Sequence, residues 1–486
     1  MGGFYYKNKM TYDVVLFTGF AEGTVKTFGA HKCAHELRRA GFRVLVVNHL
    51  HQFTLRELKE ILTLAVGSNT LFVGFSNTFL QTSLQSVDPQ VVKKPFENFL
   101  PLGLPAEQLF KFHLHSINPN CKIVVGGTRT FINVSNPYID YAVIGYADLS
   151  VVNLARHLKY NDPLKKASRN LNKITIINDP VAEGFDFYNS SMSWTDDDVV
   201  VSGEQLLLEI SRGCVFSCKF CNFRLNGKKN VDYLKKYENI RDELVYNFKN
   251  YNITHYRLLD DTYNDTEQKI DIMLDLVKSL PFKPVFWSYM RLDMLSKHPS
   301  TIEKIIDTGI VSMYFGIETL NKKAGTVIGK GYDPQAQIKT LQQMKQTYGD
   351  QIFLTGSFIC GLPTESQASI QDSMEKLISG EVPLDAVIYR PLQISKNEYE
   401  TWQSAFGLDM TKYGYHEIPW TDGNEIVQDV NWKTDIMTFE EARNICSEFH
   451  DRYNAIRPAR ANPIKVSSVD IIQYKQQLFA HLGIDQ

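Results

Sequence analysis

Short apolar runs alternate with amphipathic helical stretches along most of this chain, and the alternation occurs twice. In the first pass, residues 13–18 (DVVLFT), 43–48 (RVLVVN), 71–75, 122–125 and 141–144 read as strands. A glycine-bearing loop, 19–29, follows the first of them. Gly126 and Gly127 follow the fourth, and Gly145 the fifth. Helical patterns occupy 30–40, ended by Gly41, and 54–66, where Thr54 and Glu57 have capping-box spacing. Such alternation, with glycines at strand ends, predicts a doubly wound parallel sheet over residues 10–160. Sheets of this kind take their ligands beyond the C-terminal ends of the strands.

Residues 161–202 are polar and irregular, with an acidic cluster at Asp196, Asp197 and Asp198, and read as a linker. The alternation then resumes. Strands are expected at 206–210, 255–259, 285–289, 312–315, 353–359 and 385–390. Helices are expected at 233–250, 267–280, 299–308, 334–348 and 366–379. Six strands are too few for a closed eight-fold barrel and suit a partial one, over residues 203–400. Residues 401–486 hold Trp402, Trp420 and Trp432, then helical patterns at 438–454 and 468–482. They read as a small, mostly helical accessory domain. A length of 486 residues accommodates such a division.

A net charge of −2 carries no basic excess that would advertise nucleic acid. The longest apolar runs are too short to span a bilayer. Residues 1–10 lack the apolar core of a signal peptide, so a soluble cytoplasmic protein is expected. The seven cysteines are odd in number, and three fall between positions 214 and 221. A disulfide framework is not spaced this way; clustered thiols in a reducing compartment point to metal or redox chemistry.

Those three stand in Ser211-Arg212-Gly213-Cys214-Val215-Phe216-Ser217-Cys218-Lys219-Phe220-Cys221, on a loop after a strand. Thiols at i, i+4 and i+7 can hold three corners of a cubane and leave the fourth iron open for a substrate. A zinc site is the alternative reading. Zinc usually draws on paired CxxC units or a distant histidine pair, and no second CxxC is present.

The CxxxCxxC loop, with Glu209 to Gly213 before it and Phe220 before the last cysteine, resembles the radical S-adenosylmethionine (SAM) superfamily. The resemblance implies a partial (β/α)6 barrel and a [4Fe–4S] cluster on Cys214, Cys218 and Cys221. It implies SAM chelated to the open iron and cleaved to a 5′-deoxyadenosyl radical, and an electron donor such as flavodoxin or ferredoxin. By the same resemblance Phe220, Asp260 and Asp261 belong to the cofactor site, with Asp260-Asp261-Thr262 near the methionyl amine. Helix capping is the alternative for that segment. Tyr289 and Arg291 resemble ribose or carboxylate contacts, and Glu318 of Gly316-Ile317-Glu318 a ribose contact; surface roles stand beside both. Gly361-Leu362-Pro363 resembles the turn near the adenine, or is simply a tight turn.

The first domain resembles the cobalamin-binding domain of one class of these enzymes, on Gly126, Gly127 and Gly145-Tyr146-Ala147-Asp148. The D-x-H-x-x-G signature of a histidine lower ligand is absent from Gly29-Ala30-His31-Lys32-Cys33-Ala34-His35. Cobalamin without a histidine lower ligand is therefore implied, and His31 and His35 read as two helix-surface histidines. The function implied is cobalamin-dependent C-methylation of a small-molecule or peptide substrate. A cobalamin-dependent rearrangement, a cobalamin-free methylthiolation or epimerisation, and an iron–sulfur sensor or electron carrier remain beside it.

Overall fold

Val14–Phe17 is apolar and buried at every position, the pattern of a parallel strand covered on both faces. The computed structural model describes residues 11–21, 25–76, 113–127, 138–171, 173–179, 182–221, 233–330, 333–395, 404–420, 430–457, 460, 462 and 470–484. Residues 1–10 and Trp402 lie outside them. Val14–Phe17 is β1. The small strands β2 (Phe20–Ala21) and β3 (Val25–Lys26) pair with each other. Then come β4 (Val44–Val47), β5 (Phe72–Ser76), β6 (Lys122–Gly127), β7 (Tyr141–Ile144), β8 (Ala167–Arg169) and β9 (Thr175–Asn178).

One sheet runs in the order β4-β1-β5-β6-β7-β9-β8, parallel except for β8. The chain steps from β1 to one side and returns to β5 on the other. The winding therefore reverses between β1 and β5, and the crevice beyond such a reversal is where open α/β sheets take ligands. Alternate residues face opposite layers. Leu16, Val44, Val46 and Val124 pack under the helices Phe28–Arg39 and Ser150–Tyr160. Phe17, Leu45, Val73 and Val125 pack under Leu55–Ala65, whose N-terminus carries the capping box expected of Thr54 and Glu57.

The second sheet holds β10 (Leu206–Glu209), β11 (His255–Leu259), β12 (Val285–Met290), β13 (Ile310–Glu318), β14 (Phe353–Cys360) and β15 (Ala386–Pro391), all parallel and in chain order. This is the expected partial barrel. Intervening helices start at good caps. Asp333, for example, accepts from the Gln335 N–H and precedes Pro334, whose missing N–H is not needed at a first helical position.

Two stretches pack differently from their sequence reading. Residues 167–178, inside the expected linker, add β8 and β9 to the first sheet. The C-terminal helices divide their contacts. Phe439–Ile456 buries Phe439, Ala442 and Phe449 against the barrel core, whereas Ile471–His481 buries Tyr474, Leu478 and Phe479 on the first sheet. Both helices are amphipathic, so periodicity defines their apolar faces but not the surface that covers them.

The two sheets meet at Arg212. Its guanidinium donates from Nη1 and Nη2 to both Asp148 carboxylate oxygens at 2.9 Å. It also donates from Nε to Glu209 at 2.7 Å. Tyr146, Phe185 and Phe187 surround it at 4.5, 5.2 and 4.8 Å from ring centre to guanidinium carbon. Asp148 follows β7 and Glu209 ends β10, so the C-terminal ends of the two sheets are tied together through one buried cation. Arg212→Leu leaves two buried carboxylates without their counter-charge. It should lower unfolding free energy by about 3–5 kcal/mol, and further replacement of Asp148 and Glu209 by apolar residues should recover most of the loss. Urea unfolding of the single and triple variants checks this.

Candidate active site

Beyond the C-terminal ends of the barrel strands lies a cleft with a cavity volume of about 160 Å³. Its walls carry Cys214, Cys218 and Cys221 together with Phe220, Asp261, Tyr289, Arg291 and Glu318, residues far apart in sequence that the barrel brings to one mouth. The cysteine loop runs from β10 across this mouth. It rests on the end of the helix Lys322–Ile328, which Gly329 closes with a positive φ of 82° and where the Lys219 N–H donates to the Ile328 carbonyl at 2.9 Å.

The thiols meet hydrogen-bond donors. The Phe216 N–H donates to Cys214 Sγ at 3.5 Å, Thr262 Oγ1 lies 3.2 Å from the same sulfur, and Arg291 Nη1 donates to Cys218 Sγ at 3.4 Å. Burial pushes the Cys214 thiol up, and the Thr262 and Phe216 contacts oppose it. Among the described residues no three His, Cys, Asp or Glu side chains close on a single-ion position. The fit therefore rests on the donor set: three soft thiols on one wall, two of them facing donors that favour the thiolate, suit three corners of a [4Fe–4S] cluster. The other cysteines lie elsewhere. Cys360 and Cys446 are buried and hydrogen-bonded to each other.

The acidic pair divides its work. Asp260 is buried outside the cleft lining, accepts from the Thr262 N–H at 2.9 Å and lies 2.9 Å from Lys269 Nζ. Lys269 also bridges to Asp265 at 2.7 Å and donates to the Thr262 carbonyl at 2.7 Å. Asp260 thus shapes the turn but caps no helix among the described residues, because Thr266 is the N-cap of the helix Glu267–Lys278. Asp261 faces the cleft. Burial, then the neighbouring Asp260, pushes its carboxyl up to about 7, against a hydrogen bond from the Gly213 N–H.

Tyr289 accepts from Arg257 Nη2 at 2.8 Å and packs edge-on against Tyr314 at 4.8 Å. Glu318 ends β13 in the left-handed region (φ 70°), at a register shift in the sheet, and lies 3.3 Å from Lys330 Nζ. Burial raises its carboxyl, and Lys330 opposes the rise. A non-glycine residue held there marks strain that the surrounding structure maintains, as functional clefts often do.

Arg291 reaches the cleft, but its Nε and Nη2 are taken by Asp293 at 2.9 and 2.7 Å. The carboxylate contact expected of it requires that pair to open. Gly361-Leu362-Pro363 lies outside the cleft lining and packs on Trp432, as a tight turn. Phe216, Met290, Tyr314, Lys330 and Ser357 also line the cleft and were not singled out from sequence. Tyr314 and Ser357 sit at inward positions of β13 and β14, where strand alternation was the available signal.

Gly126 and Gly127 end β6 in the other sheet. A Cβ at Gly126 would meet only ordinary contacts with Val143, so nothing among the described residues crowds that position. The expectation of surface histidines is corrected: His31 and His35 are buried. Asp198 Oδ1 lies 2.6 Å from His31 Nδ1, and Asn48 Nδ2 lies 2.8 Å from His31 Nε2. His35 Nδ1 accepts from the Ser193 N–H. The helix bearing them is covered by the segment that precedes the barrel, which its periodicity could not reveal. Tyr146 joins the two regions. Its hydroxyl is held above its ordinary range by burial and next by the Asp261 carboxylate.

The site is thus the mouth of a partial parallel barrel with three thiols at its strand ends. Residues 208–377 match the family described as the Radical SAM superfamily. Those residues therefore carry a radical SAM domain, of a family whose members use SAM and a [4Fe–4S] cluster and need a reductant. An uncharacterized methyltransferase of Pyrococcus horikoshii, PH0819, is 29% identical over 167 residues, 34% of this chain. The match spans about a third of that relative's length, at 35%.

The fold is similar to that of the radical SAM methyltransferase TsrM from Kitasatospora setae, solved with cobalamin and a [4Fe–4S] cluster bound. The TM-score is 0.61 at 10% identity, over 97% of this chain and 99% of that one. It is also similar to the cobalamin-dependent SAM radical enzyme OxsB, solved with aqua-cobalamin and SAM bound. There the TM-score is 0.55 at 17% identity, over 82% of this chain and 56% of that one. No helix among the described residues is long and apolar enough to cross a membrane.

Two outcomes follow. Replacing Cys214, Cys218 or Cys221 by Ala should abolish binding of about four irons per chain, because a methyl group cannot replace a thiolate. Replacing Cys33, Cys121, Cys360 or Cys446 should leave the iron in place, as measured by iron and sulfide analysis.

The second concerns His35, whose imidazole is lowered to about 4 by burial first and by Lys32, Arg39 and Arg38 next. It stays neutral in the fold while the unfolded chain takes up a proton below about pH 6.5. Its contribution to stability is therefore complete above pH 6.5 and is lost as pH falls toward 4, with a slope of up to about 1.4 kcal/mol per pH unit. Urea unfolding of His35→Asn should show a shallower pH dependence across that window than the parent.

Proposed function

We propose that this protein is a cobalamin-dependent radical SAM C-methyltransferase of the reducing cytoplasm. The observation that carries the reading is the seam at Arg212. It fixes the C-terminal edge of a sheet with a winding reversal against the loop that bears three thiols. Such an arrangement lets a cofactor over the first sheet and a cofactor on the barrel address one chamber. The cobalamin named in both solved relatives, and the methyltransferase named in one of them and in the archaeal relative, support the same reading.

In this reading Cys214, Cys218 and Cys221 hold the cluster. Asp261 faces the methionyl ammonium of SAM, a charge-assisted contact that returns its carboxyl to the ionised form. Phe220, Tyr289 and Glu318 line the nucleoside part of the cleft, with Lys330 paired to Glu318. Gly126 and Gly127 would leave room for cobalamin at the end of the parallel strands. When bound, these groups supply a 5′-deoxyadenosyl radical and a transferable methyl group. The protein's part is to orient them, to keep water from the radical and to accept an electron from flavodoxin or ferredoxin. Both ring nitrogens of His31 are engaged within the protein, so no lower ligand to cobalt comes from it.

Anaerobic protein reconstituted with iron, sulfide and hydroxocobalamin should retain the visible absorption of cobalamin after desalting. Its cob(II)alamin resonance spectrum should lack nitrogen hyperfine splitting, and under reduction it should convert SAM to 5′-deoxyadenosine. SAM cleavage without cobalamin retention would replace the methyltransferase by a cobalamin-free radical enzyme. A nitrogen triplet abolished by His31→Ala would show that the histidine assignment is mistaken.

A further inference from the structure

We infer that Arg291 sets the reduction potential of the cluster through Cys218 and does not bind the carboxylate of SAM. The inference rests on the reading of Cys214, Cys218 and Cys221 as cluster ligands. Every nitrogen of this guanidinium is accounted for. Nε and Nη2 form a two-pronged pair with Asp293 at 2.9 and 2.7 Å. Nη2 also lies 3.4 and 3.3 Å from the Gly329 and Lys330 carbonyls. Nη1 points at Cys218 Sγ, 3.4 Å away. The plane stacks on Phe216 of the cysteine loop, 3.9 Å from guanidinium carbon to ring centre. The backbone N–H of Arg291 donates to Asn264 Oδ1 and its carbonyl accepts from Asn264 Nδ2, both at 2.8 Å, so the residue is also held from behind.

Arg291 is 4% exposed, which limits the screening of its charge by solvent. A cation that donates to a cluster sulfur stabilises the reduced, more negative cluster over the oxidised one. Asp293 fixes the guanidinium in that orientation and occupies the edge that a ligand carboxylate needs. Arg291 is therefore a positioning residue: it acts on the cluster through a ligand and touches neither cosubstrate nor reacting atoms.

Arg291→Gln removes the charge. Because it also strands Asp293, the double variant Arg291→Gln/Asp293→Asn, which leaves no buried charge unpaired, is made beside it. Arg291→Lys keeps the charge and loses the fork. Each is reconstituted with iron and sulfide, and its cluster is followed by electron paramagnetic resonance at set solution potentials; SAM affinity is measured by equilibrium dialysis. At the wild-type midpoint, both Gln variants should show a ratio of reduced to oxidised cluster about tenfold lower, which is about 59 mV for a one-electron couple. Arg291→Lys should regain most of that ratio. SAM affinity should stay within about threefold of wild type in all three. An intact cluster with an unchanged ratio in the double variant overturns the inference, as does a tenfold loss of SAM affinity with the ratio unmoved. Wild-type protein that takes up no iron overturns the reading of the cysteines and this inference with it.

Discussion

One guanidinium, that of Arg212, is shared by carboxylates from two different sheets. Asp148 leaves the end of β7 and Glu209 the end of β10, and each gives both of its oxygens to Arg212. A buried cation with two buried anions is tolerated only when its geometry is well satisfied, and here the bidentate pairs and three aromatic rings supply that. The arrangement is therefore strict about the position and angle of one sheet against the other. Arg212 also stands two residues before Cys214. The cation that joins the sheets thereby anchors the loop on which the chemistry depends.

A second layer of buried charge supports the cleft from beneath. Lys269 bridges Asp260 and Asp265 and holds the Thr262 carbonyl. Tyr233 donates to Asp265 at 2.5 Å, and Tyr233 itself lies just before the helix Tyr237–Tyr251. The turn carrying Asp261 and Thr262 is thus tied to Lys269 on the helix Glu267–Lys278 and, through Asp265, to Tyr233, while the Asp261 carboxylate faces the cleft. Arg291 and Asp293 form a second buried charge pair at the cleft. In both places a buried charged pair fixes a residue of the cleft wall.

Strand and helix positions were legible because they depend on periodicity and capping, which are local. The β7 and β11 segments, the helix Pro334–Tyr348 and the capping box at Thr54 stand where their residues indicated. So do the three cysteines, whose spacing on one loop is itself the signal. Other site residues were only half legible. Asp260 and Asp261 are neighbours of one residue type, yet one faces Lys269 and the other the cleft, because adjacent positions point to opposite sides of a strand end. Arg291 was visible as a charged residue after β12, but its partner Asp293 decides its role. Lys330 carried no pattern at all; it enters the cleft because Gly329 turns the chain there.

Sequence alone determined the two parallel sheets, the six strands of the barrel and the thiol set, since hydrophobic period, glycine placement and ligand spacing act within a few residues. Tertiary structure alone decided which surfaces those elements share. The helix Ile471–His481 lies on the first sheet, over 400 residues from β1 and β4. Residues 167–178 complete that sheet, and His31 and His35 are buried by a segment some 160 residues away. Amphipathic faces state that they must be covered and not by what. Only packing against distant partners, with buried charges such as Arg212 and Arg291 forced to find their counter-charges, turns those faces into one site.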